Sequence, residues 1–298
     1  MQTYLHRARR GSVRLERDVA TELEPAAALY LFANNRDARL RYVEIAARHL
    51  GDAIGDLPAN APVFWVTLIN REHAVREDEA GAFQIKRLHR WAHRLLRGCN
   101  YVGMVEAALF TNLDVVAAGY KRTVSWHCHL HVWGVSEEVI AEICTKANTR
   151  YRTLVPGVTV AHYRPVTYAE ACERAFYMHK GQISEYRVWQ RRRVSMDDDT
   201  GVITIVGTGR FSQGKRPMRP GDMARMCRVF AGRTLDRLAF AGGAGRKVLD
   251  AIRVEALGPR REQDHREAAR RASQEALRHA HRSAAARKLI PHRLGSRR

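Results

Sequence analysis

Apolar and polar positions change period several times between residues 61 and 190, and the changes mark off a run of alternating elements. Residues 63–69 (VFWVTLI) are β-branched and aromatic throughout, the composition of a buried strand. Over 83–96 the apolar positions fall at 85, 88, 91, 92, 95 and 96, which is helical spacing, and Gly98 closes the run. Residues 101–110 and 124–133 return to strand character, with a polar turn region over 111–122. Ser136, followed by Glu137 and Glu138, predicts an N-cap with first-turn acids for a helix reaching about Thr149. Residues 158–163 predict a fourth strand, closed by Pro165. Thr167 and Glu170 have the spacing of a capping box, and the helix behind them is expected to run to about Lys180, before Gly181.

In order, these elements are β-α-β-β-α-β followed by one more helix. The series predicts an α+β, ferredoxin-like (RRM-like) fold: an antiparallel sheet of four strands with two helices on one face. The first and third strands are expected in the centre and the second beside the third. Composition divides the rest of the chain. Residues 1–60 read as an N-terminal helical extension, with an Ala/Arg-rich helix over 36–50 that ends before Gly55, Pro58 and Asn60. Residues 61–190 carry the sheet. Residues 191–258 read as a mixed, largely helical accessory region, opening with a solvated loop at Arg191, Arg192 and Arg193 and holding a strand-like stretch at 202–206. Its Gly-rich segment 241–245 lacks the G-x-x-x-x-G-K-[ST] spacing of a phosphate loop and reads as a helix-breaking turn. Residues 259–298 form a basic Ala/Arg-rich tail, read as a long polar helix or a disordered segment.

The charge balance adds a partner to this outline. Lys+Arg 51 against Asp+Glu 31 gives +20, of which the tail carries +8. Such a surface attracts polyanions, nucleic acid first and an anionic membrane second. No apolar run approaches the roughly 20 residues of a spanning helix, and the basic start of the chain lacks the apolar core of a signal peptide. Cys99, Cys128, Cys144, Cys172 and Cys227 are odd in number and scattered, with no C-x-x-C pair. This pattern suits a reducing cytoplasm and argues against a disulfide scaffold or a four-cysteine zinc module.

The chemistry concentrates in Trp126-His-Cys-His-Leu-His-Val-Trp133. On a strand, His127, His129 and His131 share one face, while Cys128, Leu130 and Val132 share the other. A row of imidazoles on a central strand is costly to bury without partners, and neutral imidazole is the commonest metal ligand. Hydrogen-bonded histidines on a polar sheet face are the plainer alternative. Glu106 interrupts an otherwise apolar strand, so it must be paired, metal-bound or exposed at an edge. If the second strand neighbours the third, Glu106 can face the histidines. Tyr177 and Lys180, three apart, share a helical face, and a lysine and a metal ion can together activate a tyrosine as nucleophile. Alone, that pair reads as a surface tyrosine beside a lysine. Its place after the histidine strand gives it meaning.

The ordered set of Trp65-Val66-Thr67-Leu68, His129-Leu130-His131 and Tyr177-x-x-Lys180 resembles the three motifs of the HUH endonucleases. The closest likeness is to single-tyrosine rolling-circle replication initiators, over about residues 61–185. The resemblance implies a divalent ion, Mn2+ or Mg2+, held by His129, His131 and Glu106, with His127 a further ligand or an outer partner. It implies Tyr177 as nucleophile, Lys180 as its charge partner, and a 5′-phosphotyrosine link that leaves a free 3′-hydroxyl to start rolling-circle replication. The DNA would be a single-stranded or hairpin origin, its backbone held by basic residues such as Arg191, Arg192, Arg193, Lys215 and Arg216. A helicase and a polymerase of the host would act alongside. A relaxase or transposase, a zinc hydrolase using the three histidines, and a non-enzymatic RNA-binding module are the competing expectations.

Overall fold

The computed structural model describes residues 15–116 and 120–288, with side chains as far as Glu275. The described residues up to Ala256 form one compact unit, and those from Leu257 a second. The first unit thus takes in three of the segments that composition separates.

The chain enters through a short helix α1 (Arg17–Glu22), a 3-10 turn (Pro25–Tyr30) and helix α2 (Arg36–Gly55). The Asn35 side chain caps α2 by accepting from the Ala38 N–H at 2.9 Å. Then come β1 (Val63–Arg76), α3 (Ile85–Leu95), β2 (Asn100–Thr111), β3 (Arg122–Trp133), α4 (Glu137–Arg150) and β4 (Ala161–Pro165). These strands lie in the order β4-β1-β3-β2, antiparallel throughout, with β1 and β3 central and β2 beside β3. The architecture is mixed α+β. Ser136 stands at the N-cap of α4, but its hydroxyl accepts no helix N–H.

The two faces of this sheet are filled differently. Even-numbered residues of β3 face α3 and α4. Trp126 stacks on Phe83 at 5.6 Å, Tyr101 of β2 packs on His93 of α3, and the Tyr163 hydroxyl of β4 donates to Glu137 of α4 at 3.2 Å. Leu130, Val132 and Phe64 are fully buried there, each worth about 1.5–3 kcal/mol relative to exposure. Gly103 permits this packing, because a Cβ would stand 2.8 Å from Leu130 Cγ. Odd-numbered residues of β3, three of them histidine, lie on the opposite face. That face is covered by α2 and by α5 (Tyr168–Met178), whose Tyr42, Ala46, Ala175 and Met178 line a small cavity together with Val102 and Gly103 of β2.

Beyond β2 the sheet continues in a way the sequence pattern does not suggest. β5 (Ser184–Met196) runs parallel to β2 over Glu185–Arg187, and β6 (Ile203–Pro217) pairs with β5 as a long two-stranded ribbon. Arg191, Arg192 and Arg193 therefore lie on a strand, not in a solvated loop. Most of the ribbon is exposed on both faces, so it needs no apolar alternation, and the signal that marks a buried strand is missing. After α6 (Pro220–Phe230) and the single turn α7 (Leu235–Leu238), β7 (Ala239–Gly242) pairs with β2 beside Tyr101–Met104. The Gly-rich segment separates β7 from α8 (Gly245–Lys288), with Gly243 at φ +55°. The described part of the second unit is helical, within α8. Among the described residues no helix is long and apolar enough to cross a membrane.

The capping box that opens α5 forms as its spacing predicts. Thr167 Oγ1 accepts from the Glu170 N–H at 3.3 Å, and Glu170 Oε2 accepts from the Thr167 N–H at 2.9 Å. The helix ends two residues before Lys180, at Met178, and the Lys180 N–H closes a further turn on the Tyr177 carbonyl at 3.2 Å. Thr167→Ala removes one half of the box and is expected to cost about 1 kcal/mol, read as a lowered urea midpoint; an unchanged midpoint would show that packing on α2 alone fixes α5.

Candidate metal centre

Antiparallel register builds the site. Glu106 on β2 stands directly opposite His127 on β3, and His129 lies one diagonal step away, opposite Met104. All three side chains share the face covered by α5, and all are buried. Their ligating atoms lie within 4.8 Å of one another, and among the described residues they are the group that can hold a metal ion. Glu106 Oε2 is 3.4 Å from His129 Nε2 and 3.6 Å from His127 Nε2. Two donors bound to one ion at about 2.0–2.2 Å stand about 3–3.6 Å apart, so the spacing fits.

The far nitrogens are tied down. His127 Nδ1 lies 3.2 Å from the Ser125 carbonyl, which can only accept, so Nδ1 carries the proton. The other nitrogen, Nε2, faces the Glu106 carboxylate at 3.6 Å. His129 Nδ1 is fixed by Thr67 Oγ1 of β1 at 2.9 Å, a second orienting partner. Burial pushes the His129 imidazole down to about 4, with Glu106 opposing the shift. Burial alone would raise the Glu106 carboxyl. Hydrogen bonds from His127 and His129 and the charges of His129 and Lys180 outweigh it and hold the group well below the usual carboxylate range.

Lys180 is the resident cation. Its Nζ donates to Glu106 Oε1 at 3.1 Å and Oε2 at 2.9 Å. The same ammonium lies 3.6 Å from the centre of the Tyr177 ring. Arg174 and Lys215 stand 5.6 and 5.9 Å from that centre, and the ring meets His129 edge-on at 5.7 Å. Tyr177 is thus held over the carboxylate–histidine group among three cations. A cavity of about 120 Å³ opens between them, lined by Thr67, Glu106, His127, His129, Tyr177 and Lys215 among others.

Several residues stand elsewhere than the sequence suggests. His131, expected to pair with His129, lies outside the ligating group. It is fully buried against Trp65 at 5.1 Å, neither ring nitrogen makes a well-formed hydrogen bond, and burial pushes it down to about 3. The reason is register: Glu106 opposes His127, while His131 opposes Val102. Arg216, expected on DNA, is committed to the fully buried Glu185, its cross-strand neighbour. Lys215, also expected on DNA, is in the cavity wall. Arg191, Arg192 and Arg193 remain exposed on the ribbon, with Arg191 donating to Ser212 at 2.6 Å. Tyr168 is largely exposed at the far end of α5, whereas Tyr186 lines the cavity and stacks on Phe110 at 5.1 Å. Arg174, Ser125 and Tyr186 are additions that the motifs do not name, and Thr67 stands in the first motif without an assigned role; of the additions, only Arg174, one turn before Tyr177, has a local signal.

Comparison with protein-family models, curated proteins and solved structures finds no match.

Orienting partners alone are worth about 10–100-fold in metal affinity, so losing a ligand should cost at least that. Calorimetric titration with Mn2+ is expected to show such a loss for His127→Ala and for His129→Ala, and near-native affinity for His131→Asn; the reverse order would restore the His129–His131 pair. A second outcome concerns acid. Burial first, with a smaller opposing hydrogen bond, holds His131 down to about 3 and His179 to about 4, against 6.5 in the open chain. The unfolded chain takes up these protons first, so stability of the metal-free protein falls as pH drops from about 6.5 towards 4. Urea midpoints that stay level from pH 7 to pH 4.5 would contradict it.

Proposed function

We propose that this protein is a metal-dependent nicking and joining enzyme of single-stranded DNA, acting through a covalent link to Tyr177. The observation that carries the reading is one tyrosine ring set among Arg174, Lys180 and Lys215, over a buried carboxylate and two histidines whose outer nitrogens are tied down. The strand order β4-β1-β3-β2 supports a ferredoxin-like core, and with the motif order it supports membership of the HUH endonucleases, as a rolling-circle replication initiator. The RNA-binding alternative needs an open aromatic sheet face; here α2 and α5 lie over the corresponding face.

Glu106, His127 and His129 would hold Mn2+ or Mg2+, carboxylate and imidazole being donors that suit manganese. Bound there, the ion supplies positive charge to the non-bridging oxygens of the scissile phosphate. The chain's own groups do the rest. The cations around Tyr177 would hold the anionic phosphate beside it, and the phenolic proton leaves to solvent as the new bond forms. Tyr177 Oη then attacks phosphorus, a tyrosyl–phosphorus bond forms, and the bond to the 3′-oxygen breaks. That oxygen takes a proton and departs as a 3′-hydroxyl, which a polymerase can extend. One phosphodiester replaces another, so the reverse reaction rejoins strands without ATP. The Thr67 hydroxyl and the Ser125 carbonyl orient the imidazoles so that Nε2 of each points inward. The +8 tail and the exposed Arg191 and Arg193 of β5 would track the DNA backbone, with a helicase of the host opening the duplex.

Tyr177→Phe keeps the ring and its packing while removing only the attacking oxygen. Incubated with single-stranded DNA and Mn2+, the native chain is expected to give a covalent adduct on a denaturing gel, and Tyr177→Phe none. An adduct that persists, or maps to Tyr186, would overturn the assignment; free products without adduct would indicate hydrolysis. Removal of residues 257–298 is expected to weaken DNA affinity and lower its salt dependence, through fewer released counterions, while the adduct still forms at saturating DNA. Loss of the adduct at saturation would place the tail in the catalytic unit.

A further inference from the structure

The distal half of the β5–β6 ribbon carries an apolar face that no described residue of the compact unit covers. In register, Arg192 opposes Gly207, Val194 opposes Ile205, and Met196 opposes Ile203. Directly opposed residues share a face, and so do alternate residues along each strand. One face therefore reads Arg192, then the pairs Val194–Ile205 and Met196–Ile203, then the turn with Asp197, Asp198 and Asp199. The other face carries Arg193, Ser195, Thr204 and Val206. Val194, Met196, Ile203 and Ile205 are 58–64% exposed, so they stand among the most exposed large apolar side chains of the described chain. An isolated two-stranded ribbon is marginal in water and normally gains its stability by packing a hydrophobic face. Contiguous exposed apolar surface of this kind marks an interaction site.

We propose that the occupant of this face is the same face of a second copy of the chain. Charge is self-complementary along the stripe. A basic residue, Arg192, stands at its inner end and acidic residues at its outer end, with apolar pairs between. Asp197 is engaged in its own turn, accepting from the N–H groups of Asp199 and Thr200 and from the Thr200 hydroxyl, which leaves Asp198 and Asp199 as the outward acids. A two-fold axis at position 195 sets Val194 of one ribbon over Met196 of its partner copy, and sets Arg192 beside Asp198 by the same operation. The stripe is self-complementary, as an isologous contact requires. Two packed sheets stand about 10 Å apart, a distance that these apolar side chains fill from both sides. A nucleic-acid duplex would meet the acidic tip at the same surface, and a lipid headgroup layer would too. The contact lies away from the cavity at Tyr177, so the pairing is independent of the nicking chemistry. It would give one assembly two such sites.

The test is the oligomeric state of the full chain without DNA, by analytical ultracentrifugation over a wide range of concentrations. A reversible dimer is expected that weakens with salt. Val194→Asp with Ile205→Asp is expected to give a monomer with an unchanged circular dichroism spectrum and an unchanged thermal midpoint, since the pair is exposed and outside the core. The decisive arm uses charge exchange. Arg192→Glu alone and Asp198→Arg with Asp199→Arg alone should each weaken self-association at least about tenfold, and an equimolar mixture of the two variants should recover it. A native chain that stays monomeric at the highest concentration overturns the proposal. So does a dimer that survives the Val194/Ile205 change, or a mixture without recovery. A monomer that binds duplex DNA or lipid vesicles through this face identifies another occupant and also overturns it. Adduct formation on short single-stranded DNA is read in parallel: its absence counts against the nicking activity, not against the dimer.

Discussion

A carboxylate buried in a sheet must be given positive charge or give up its own, and Glu106 is such a carboxylate. Moving an ionised group from water to the interior costs several kcal/mol even after relaxation. The surroundings of Glu106 answer that cost three times: with the Lys180 ammonium on both oxygens and with an imidazole on either side. Each answer comes from a different piece of the fold. The histidines are there because β2 and β3 pair in one register. Lys180 is there because α5 ends just before it and lies across the sheet beside α2. Slip the register by one residue and the histidines turn into the core formed with α3 and α4.

The same arrangement gives the site its chemical character. Charge gathered to balance a buried carboxylate also surrounds Tyr177, whose ring lies on the Lys180 ammonium with Arg174 and Lys215 at its margins. Such a setting attracts an anionic group to the ring. Thr67 and Ser125 add the orientation that separates a ligand set from a chance cluster. His131, buried on the same face beside Trp65, contributes packing next to the group instead of a donor to it.

Much of this was legible in the sequence, and the parts that were not share one cause. Alternation along 126–133 put the three histidines on one face, a lone glutamate in an apolar strand marked Glu106, and Thr167 with Glu170 located the helix that bears Tyr177. All of these are short-range signals. Which two histidines meet Glu106 is decided by pairing across strands, and no local pattern carries it. The commitment of Arg216 to Glu185 is likewise a cross-strand fact. Of the ribbon, only 202–206 read as strand-like; β5 and the rest of β6 escaped because an exposed hairpin needs no period-two burial, so the arginines of β5 read as loop. The burial of the histidine face under α2 joins segments far apart in sequence, which composition had set in separate domains.

Everything in the site turns on whether Glu106, His127 and His129 hold a cation. An anomalous difference map recorded at the manganese edge, from crystals soaked in Mn2+, tests it most directly. One strong peak is expected within bonding distance of a Glu106 carboxylate oxygen and of Nε2 of both His127 and His129. A peak between His129 and His131, or none on this face of the sheet while manganese occupies other sites, would contradict it.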